Sequence, residues 1–182
     1  MKKTFFYLSV LLSTTFFYAQ ESIYKTDKAI ITFDAAKNNI EPISAKNNQA
    51  KIIINTKTGE VASVMSMTDF EFPNKLMQEH FNENYIESDK YPKATFVGVI
   101  ENFAATDFSS EKTLKVVGTF KIHGVSKKKN IDLKIIKTKE YYTFKSEFKL
   151  QLEDFKIKIP SVVFYKIAEE VNVSLVADLN KP

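Results

Sequence analysis

The chain has 182 residues and carries 26 lysines against 22 acidic residues, with no arginine and no cysteine. Without arginine it lacks the planar guanidinium group that makes bidentate hydrogen bonds to guanine and phosphate, which argues against a sequence-specific nucleic-acid binder. The absence of cysteine excludes thiol catalysis, thiolate metal sites and disulfide bonds.

The N-terminal residues have the layout of a secretory signal peptide. Two lysines follow the initial methionine, residues 5–18 form an apolar and aromatic run, and Ala19-Gln20 precedes a polar stretch. The run is shorter than the roughly 20 residues that cross a bilayer, so we expect a cleaved signal rather than a stable membrane anchor. Cleavage after Ala19 or Gln20 divides the chain into a signal peptide, 1–19, and one domain, 20–182, exported to the periplasm or the medium.

Most of the remaining chain shows a two-residue alternation of apolar and polar side chains, which predicts β-strands with one buried face. Eight such segments follow one another: Ile23–Ala35, Gln49–Thr58, Val61–Phe72, Ala94–Phe103, Thr113–His123, Asn130–Thr138, Tyr141–Asp154 and Val171–Leu179. In the clearest of them, Val116, Gly118 and Phe120 share the apolar face. The pattern predicts a mainly β fold, a single antiparallel eight-stranded barrel.

One segment breaks the strand pattern. Between Pro73 and Glu87 the apolar residues recur at spacings near four, which predicts an amphipathic helix inserted into the barrel. Pro73 suits the first turn of that helix. A second, short helical turn is expected over Val162–Glu169, after Pro160.

Three stretches of the sequence resemble the YceI-like family. The first, Leu76–Phe96, has a leucine-led helical segment, a tyrosine–proline pair and a strand that opens with an aromatic residue. The second, Val117–Lys127, is similar to the family's strand-and-turn signature, and Glu153–Ile157 with Ala168–Val171 is similar to its closing segment. Ahead of them, Ser22–Asn48 is shorter than is usual in the family. The resemblance implies a lipocalin-like barrel that encloses an isoprenoid-type lipid, and export, often to the periplasm.

An eight-stranded barrel is just wide enough to be filled by its own side chains or to hold one small ligand. We expect an apolar, ligand-binding lining from strand and helix residues, namely Phe96, Phe120, Phe144, Phe148, Met77 and Phe81. Gly98 and Gly118 fall on inward strand faces and complete this set. A missing side chain there leaves either room for a ligand or a bend in the strand.

His80 is the candidate for a polar contact with a ligand head group. It flanks the apolar face of the predicted helix and could donate a hydrogen bond to a quinone or phosphate; the alternative is a bridge between helix and barrel. Glu79 and Glu83 lie nearby, but no second motif completes a metal shell. We therefore expect neither metal nor cofactor.

These features favour an exported carrier or scavenger of a long apolar lipid, of the isoprenoid or quinone type. The alternative is a fully packed structural or stress-related interaction protein of the envelope without a ligand. An enzyme is disfavoured because the sequence has no glycine-x-serine-x-glycine elbow and no phosphate-binding glycine loop. The expected partner is thus an apolar small molecule or lipid and not a nucleic acid. The sequence carries no signal for an oligomeric state.

Overall fold

The computed structural model describes residues 22–37, 42–163 and 165–182. The predicted signal peptide lies outside these residues. Eight strands are present, which we number in chain order: β1 Ile23–Ala36, β2 Ser44–Asn55, β3 Glu60–Ser66, β4 Lys93–Ile100, β5 Lys112–Ile122, β6 Val125–Lys137, β7 Tyr141–Gln151 and β8 Ile167–Asn180. Each of the eight predicted strands is found, although several boundaries differ.

The strands form a closed antiparallel barrel in which every strand pairs with its neighbours in sequence and β8 pairs with β1. The prediction of a single eight-stranded barrel is confirmed. Alternation places one face of each strand inside: on β5 Val116, Gly118 and Phe120 are buried, whereas Lys115 and Lys121 are exposed. The hydrophobic core therefore lies along the barrel axis.

The start of β2 was predicted too late in the sequence, at Gln49. The strand begins at Ser44, where its polar composition hides the alternation. Asn47 faces inward and is fully buried. Its Nδ2 donates to the carbonyl oxygen of Ser66 at 2.9 Å, and its Oδ1 accepts from the backbone N–H of Gln49 at 2.9 Å. The buried amide is satisfied by hydrogen bonds, so a polar residue can occupy an inward position.

The inserted helix is shorter than predicted and changes type along its length. An α-helix, α1, spans Lys75–His80, and a π-helical turn continues it over Phe81–Tyr85. The side chain of Asn74 caps α1 by accepting from the backbone N–H of Leu76 at 2.8 Å. In the π-turn the N–H of Ile86 donates to the carbonyl of Phe81, five residues earlier, at 2.9 Å.

The second helical turn was predicted over Val162–Glu169, which is wrong in extent. The structure has one 3₁₀ turn at Ser161–Val163, and β8 already begins at Ile167. Within the described residues, no helix is long and apolar enough to span a bilayer.

The two ends of the barrel are built differently. α1 is inserted between β3 and β4, so it lies at the end where β3 stops and β4 starts, which we call the open end. At the opposite, closed end, four aromatic rings pack together: Tyr24, Phe103, Phe108 and Tyr142. Their ring centroids lie 4.8–5.7 Å apart and all four side chains are buried, so this end is plugged by protein.

Candidate functional site: an apolar cavity in the barrel

The interior of the barrel holds a cavity of about 450 Å³, a size typical of ligand pockets. Residues from all eight strands and from the inserted helix line it. It extends from Val61 and Val116, next to the plugged end, up to α1 at the open end. Among the described residues that line it, 32 of 38 are aliphatic, methionine or phenylalanine, and none is acidic. The cavity therefore offers a hydrocarbon environment.

Six of the residues predicted as apolar lining contribute to this cavity: Phe96, Phe120, Phe144, Phe148, Met77 and Phe81. Three of the strand residues form a row of rings across the wall. The centroids of Phe96 and Phe120 lie 4.6 Å apart, and those of Phe120 and Phe148 lie 5.4 Å apart. The structure thus brings the predicted aromatic set together around one space. Its role in ligand binding stays a prediction.

Gly98 and Gly118, expected either to leave room for a ligand or to bend the strand, are not among the residues that line the cavity. The two glycines pair directly across β4 and β5. A Cβ on Gly118 would lie 2.6 Å from Cε2 of Phe96, and one on Gly98 would lie 3.0 Å from Cζ of the same ring. The Phe96 ring covers both positions. The missing side chains give space to a phenylalanine that lies flat against the wall.

A second aromatic cluster, the lid cluster, closes part of the open end. It consists of Phe33 from β1, Phe70 and Phe72 from the segment after β3, and Phe81 from the π-turn. Phe81 stacks on Phe33 at 5.6 Å and approaches Phe72 at 5.1 Å and Phe70 at 5.9 Å. The inserted helix is therefore held over the barrel by ring packing, and its apolar column of Met77, Phe81 and Tyr85 faces the cavity.

The cavity reaches the surface beside α1. Three lining residues there, Asn74, Leu76 and His80, are exposed, and Leu76 is 56% exposed. His80, the candidate for the head-group contact, thus stands at the mouth, and its role in binding stays a prediction. Lys166 and Tyr85 add two more polar side chains to the mouth. Burial raises the pKa of Tyr85 above its ordinary value of 10.0, so its phenol stays protonated and can donate a hydrogen bond.

His123 fixes the rim at the open end, a role that the sequence did not reveal. It sits in the β5–β6 turn with a positive φ of 50°, followed by Gly124 at 73°. Its Nε2 lies 2.7 Å from Oε2 of Glu87, after the π-turn, and its Nδ1 lies 3.0 Å from the carbonyl oxygen of Phe155, after β7. The Tyr91 ring packs edge-on against it at 4.5 Å. One side chain therefore ties three segments together.

Sequence reasoning also missed Ser63, an inward-facing serine in the middle of β3. It lines the cavity between Val61 and Met65, two apolar positions of the same row. A polar residue in an otherwise apolar alternating row was the available signal. Among residues 22–37, 42–163 and 165–182, no three His, Asp or Glu side chains cluster as a metal site requires.

The structure is a closed eight-stranded barrel whose apolar interior is unfilled and open at one end, which leaves room for one small ligand. The sequence pattern of the YceI-like domain matches residues 23–179, and the chain belongs to that family. No curated protein sequence matches the chain significantly.

Solved structures share the fold at low sequence identity. A polyisoprenoid binding domain from Saccharophagus degradans superposes with a TM-score of 0.77 at 14% identity, covering 88% of this chain and 99% of its own. BcnA of Burkholderia cenocepacia gives 0.70 at 14% identity, with 84% and 96% covered. The Campylobacter jejuni YCEI protein gives 0.58 at 16% identity, with 100% and 99% covered.

Proposed function

We propose that the protein binds a long apolar lipid of the isoprenoid or quinone type inside its barrel, and acts after export as a carrier or scavenger of that lipid. The observation that carries the proposal is the apolar cavity of about 450 Å³, plugged at one end and open at the other. Water finds few hydrogen-bond partners there, whereas a hydrocarbon chain fills it favourably. The N-terminal apolar run supports export.

Hydrocarbon burial alone supplies enough free energy for this binding. Each five-carbon isoprene unit contributes roughly 4 kcal/mol, at about 0.8 kcal/mol per carbon. Four units give roughly 16 kcal/mol before several kcal/mol are lost as translational and rotational freedom. A micromolar Kd needs only about 8 kcal/mol. Binding therefore requires no ion pair, in agreement with a lining that lacks carboxylates among its described residues.

The fold relationships support the same ligand class. The Saccharophagus degradans domain that shares this barrel is described as polyisoprenoid binding. The alternative, a fully packed barrel without a ligand, is disfavoured because side chains leave the interior unfilled. Catalysis is not part of the proposal, since no nucleophile is paired with a base among the described residues of the lining.

Native mass spectrometry of the protein purified from its own host tests the proposal. We expect a bound lipid, and after its extraction with organic solvent we expect the protein to take up a tetraprenyl quinone. Val173 lines the cavity on β8, so Val173→Phe should lower this uptake by filling the space. Val176 lies on the outer face of the same strand and is 42% exposed, so Val176→Phe is the matched control.

Two outcomes contradict the proposal. The first is a wild-type protein that carries no lipid and takes up no tetraprenyl quinone. The second is an equal effect of the inner and outer phenylalanine on uptake, which would place the lipid somewhere other than the barrel interior.

A further inference from the structure

Ser63 places a hydroxyl in the middle of the largely apolar barrel wall. β3 runs from Glu60 at the closed end to Ser66 at the open end, and Ser63 is its central residue. Its cross-strand partners are Ile52 on β2 and Phe96 on β4, both of which line the cavity. The hydroxyl is therefore surrounded by hydrocarbon, away from the polar mouth.

This hydroxyl has no hydrogen-bond partner among residues 22–37, 42–163 and 165–182. Ser146 on β7 shows how the barrel treats a serine that only stabilises the fold. It is buried, does not line the cavity, and donates from its Oγ to the carbonyl oxygen of Asp132 at 2.6 Å. The Ser146 hydroxyl is thus used up within the fold, whereas the Ser63 hydroxyl faces the cavity and is left to pair with a partner that enters it.

We propose that Ser63 donates a hydrogen bond to an oxygen atom in the buried part of the ligand. The inference rests on the proposed function and narrows its ligand class: the lipid carries a hydroxyl or carbonyl oxygen on the portion inside the barrel. A plain hydrocarbon would fill the same volume but leave the hydroxyl unpaired, and the protein therefore prefers the oxygenated lipid. Ser63 is a specificity-determining residue.

The test compares two probes that share a carbon skeleton, geranylgeraniol and the corresponding C20 hydrocarbon. Their affinities are measured by displacement of N-phenyl-1-naphthylamine from the delipidated protein. We expect the wild-type protein to prefer the alcohol. Ser63→Ala should weaken alcohol binding about fivefold, equivalent to about 1 kcal/mol at 1.4 kcal/mol per tenfold change, and leave the hydrocarbon unaffected. Ser63→Thr retains the hydroxyl and should keep the preference for the alcohol.

Ser146→Ala is the matched control, because it removes a hydroxyl that faces the backbone rather than the cavity. It should leave the ratio of the two affinities unchanged. The inference is overturned if Ser63→Ala weakens both probes equally or neither of them. A wild-type protein that binds neither probe would overturn the proposed function as well, so the two failures are distinguishable. Thermal denaturation of each variant verifies that it is folded.

Discussion

The ring of Phe96 lies directly over the Cα of Gly118 on the neighbouring strand. A Cβ added to Gly118 would stand 2.6 Å from Cε2 of that ring, closer still to Cζ, and 2.8 Å from the carbonyl oxygen of Val97. Real Cβ contacts essentially never come this close. The glycine therefore allows Phe96 to lie flat against the wall, and Phe120, with its ring centroid 4.6 Å away, packs on it.

Gly118→Ala should destabilise the protein by about 1–3 kcal/mol, because the added methyl group must displace the Phe96 ring or the backbone of Val97. The backbone of Gly118 has no positive φ, so strain from the left-handed region does not enter. Chemical denaturation of the single variant, of Phe96→Leu and of the double variant measures the effect. The alanine should cost at least 0.5 kcal/mol less in the leucine background, since the ring is gone. If the losses of stability in the two single variants simply added up in the double variant, the contact between position 118 and the Phe96 ring would be contradicted.

Phe120→Ala should lower the free energy of unfolding by about 3 kcal/mol. The side chain is buried between Phe96 and Phe148, but one side faces the cavity, so we expect the lower end of the usual range for a core phenylalanine. Lys121, the next residue on β5, points outward and is exposed. Lys121→Ala should change stability by no more than about 0.5 kcal/mol. Equal losses at the two positions would show that the inward face of β5 is assigned incorrectly.

Much of the barrel could be predicted because its strands have one wet and one apolar face. That difference leaves a period of two in the sequence, and it placed Val116, Phe120 and Phe144 inside correctly. The same signal fails where a polar residue faces inward. Asn47 can be buried because its side chain makes two hydrogen bonds, which no local sequence pattern predicts. The first residues of β2 were therefore not recognised as part of a strand.

Contacts between side chains on neighbouring strands could not be predicted. Alternation shows whether a side chain points into or out of the barrel, but not which way it leans along the inner wall. The sequence placed Phe96 and Gly118 on the same face, yet only the structure shows the ring lying over the glycine. The plug at the closed end was missed for another reason. Phe103, predicted as the last residue of β4, lies in a 3₁₀ turn, and Phe108 lies in irregular chain before β5, so a two-residue alternation does not report their burial.

His123→Ala should loosen two segments of the rim at once. The substitution removes the contacts to Glu87 and to the Phe155 carbonyl, at a cost of about 1–2 kcal/mol. Hydrogen–deuterium exchange should become faster in residues 86–91 and 152–157, while the strands at the closed end keep their protection. Lys90→Ala is the control, since Lys90 approaches Glu87 only at 4.0 Å and is exposed. Faster exchange in only one of the two segments would contradict the inference that His123 holds both of them in place.

The exported form should begin near Gln20 or Glu21, because the charged start and short apolar run of the N-terminus match a cleaved signal. The intact mass of the protein isolated from its own host reports the cleavage position. A full-length chain found in the cytosol would contradict export. A fraction in which Ala19 is retained would shift the cleavage site without affecting the conclusion.

The two aromatic clusters at opposite ends of the barrel should have separable effects on stability and ligand exchange. Phe103 belongs to the plug, is buried and does not line the cavity, so Phe103→Ala should cost about 3–5 kcal/mol of stability. Its effect on the dissociation rate of a bound tetraprenyl quinone should be small. Phe81 is partly buried in the lid cluster and lines the cavity, so Phe81→Ala should open the exit.

We expect Phe81→Ala to accelerate dissociation of the quinone about tenfold, which corresponds to the loss of about 1.4 kcal/mol of apolar contact. Transfer of the quinone from the protein to an excess of lipid vesicles gives the rate. Leu76 is the matched control, because it lies at the mouth on α1 but is 56% exposed, so Leu76→Ala removes less contact and should change the rate less. If Phe103→Ala accelerated dissociation as much as Phe81→Ala, the ligand would leave through the plugged end or through both ends. The assignment of α1 and the π-turn as the lid of the cavity would then be wrong.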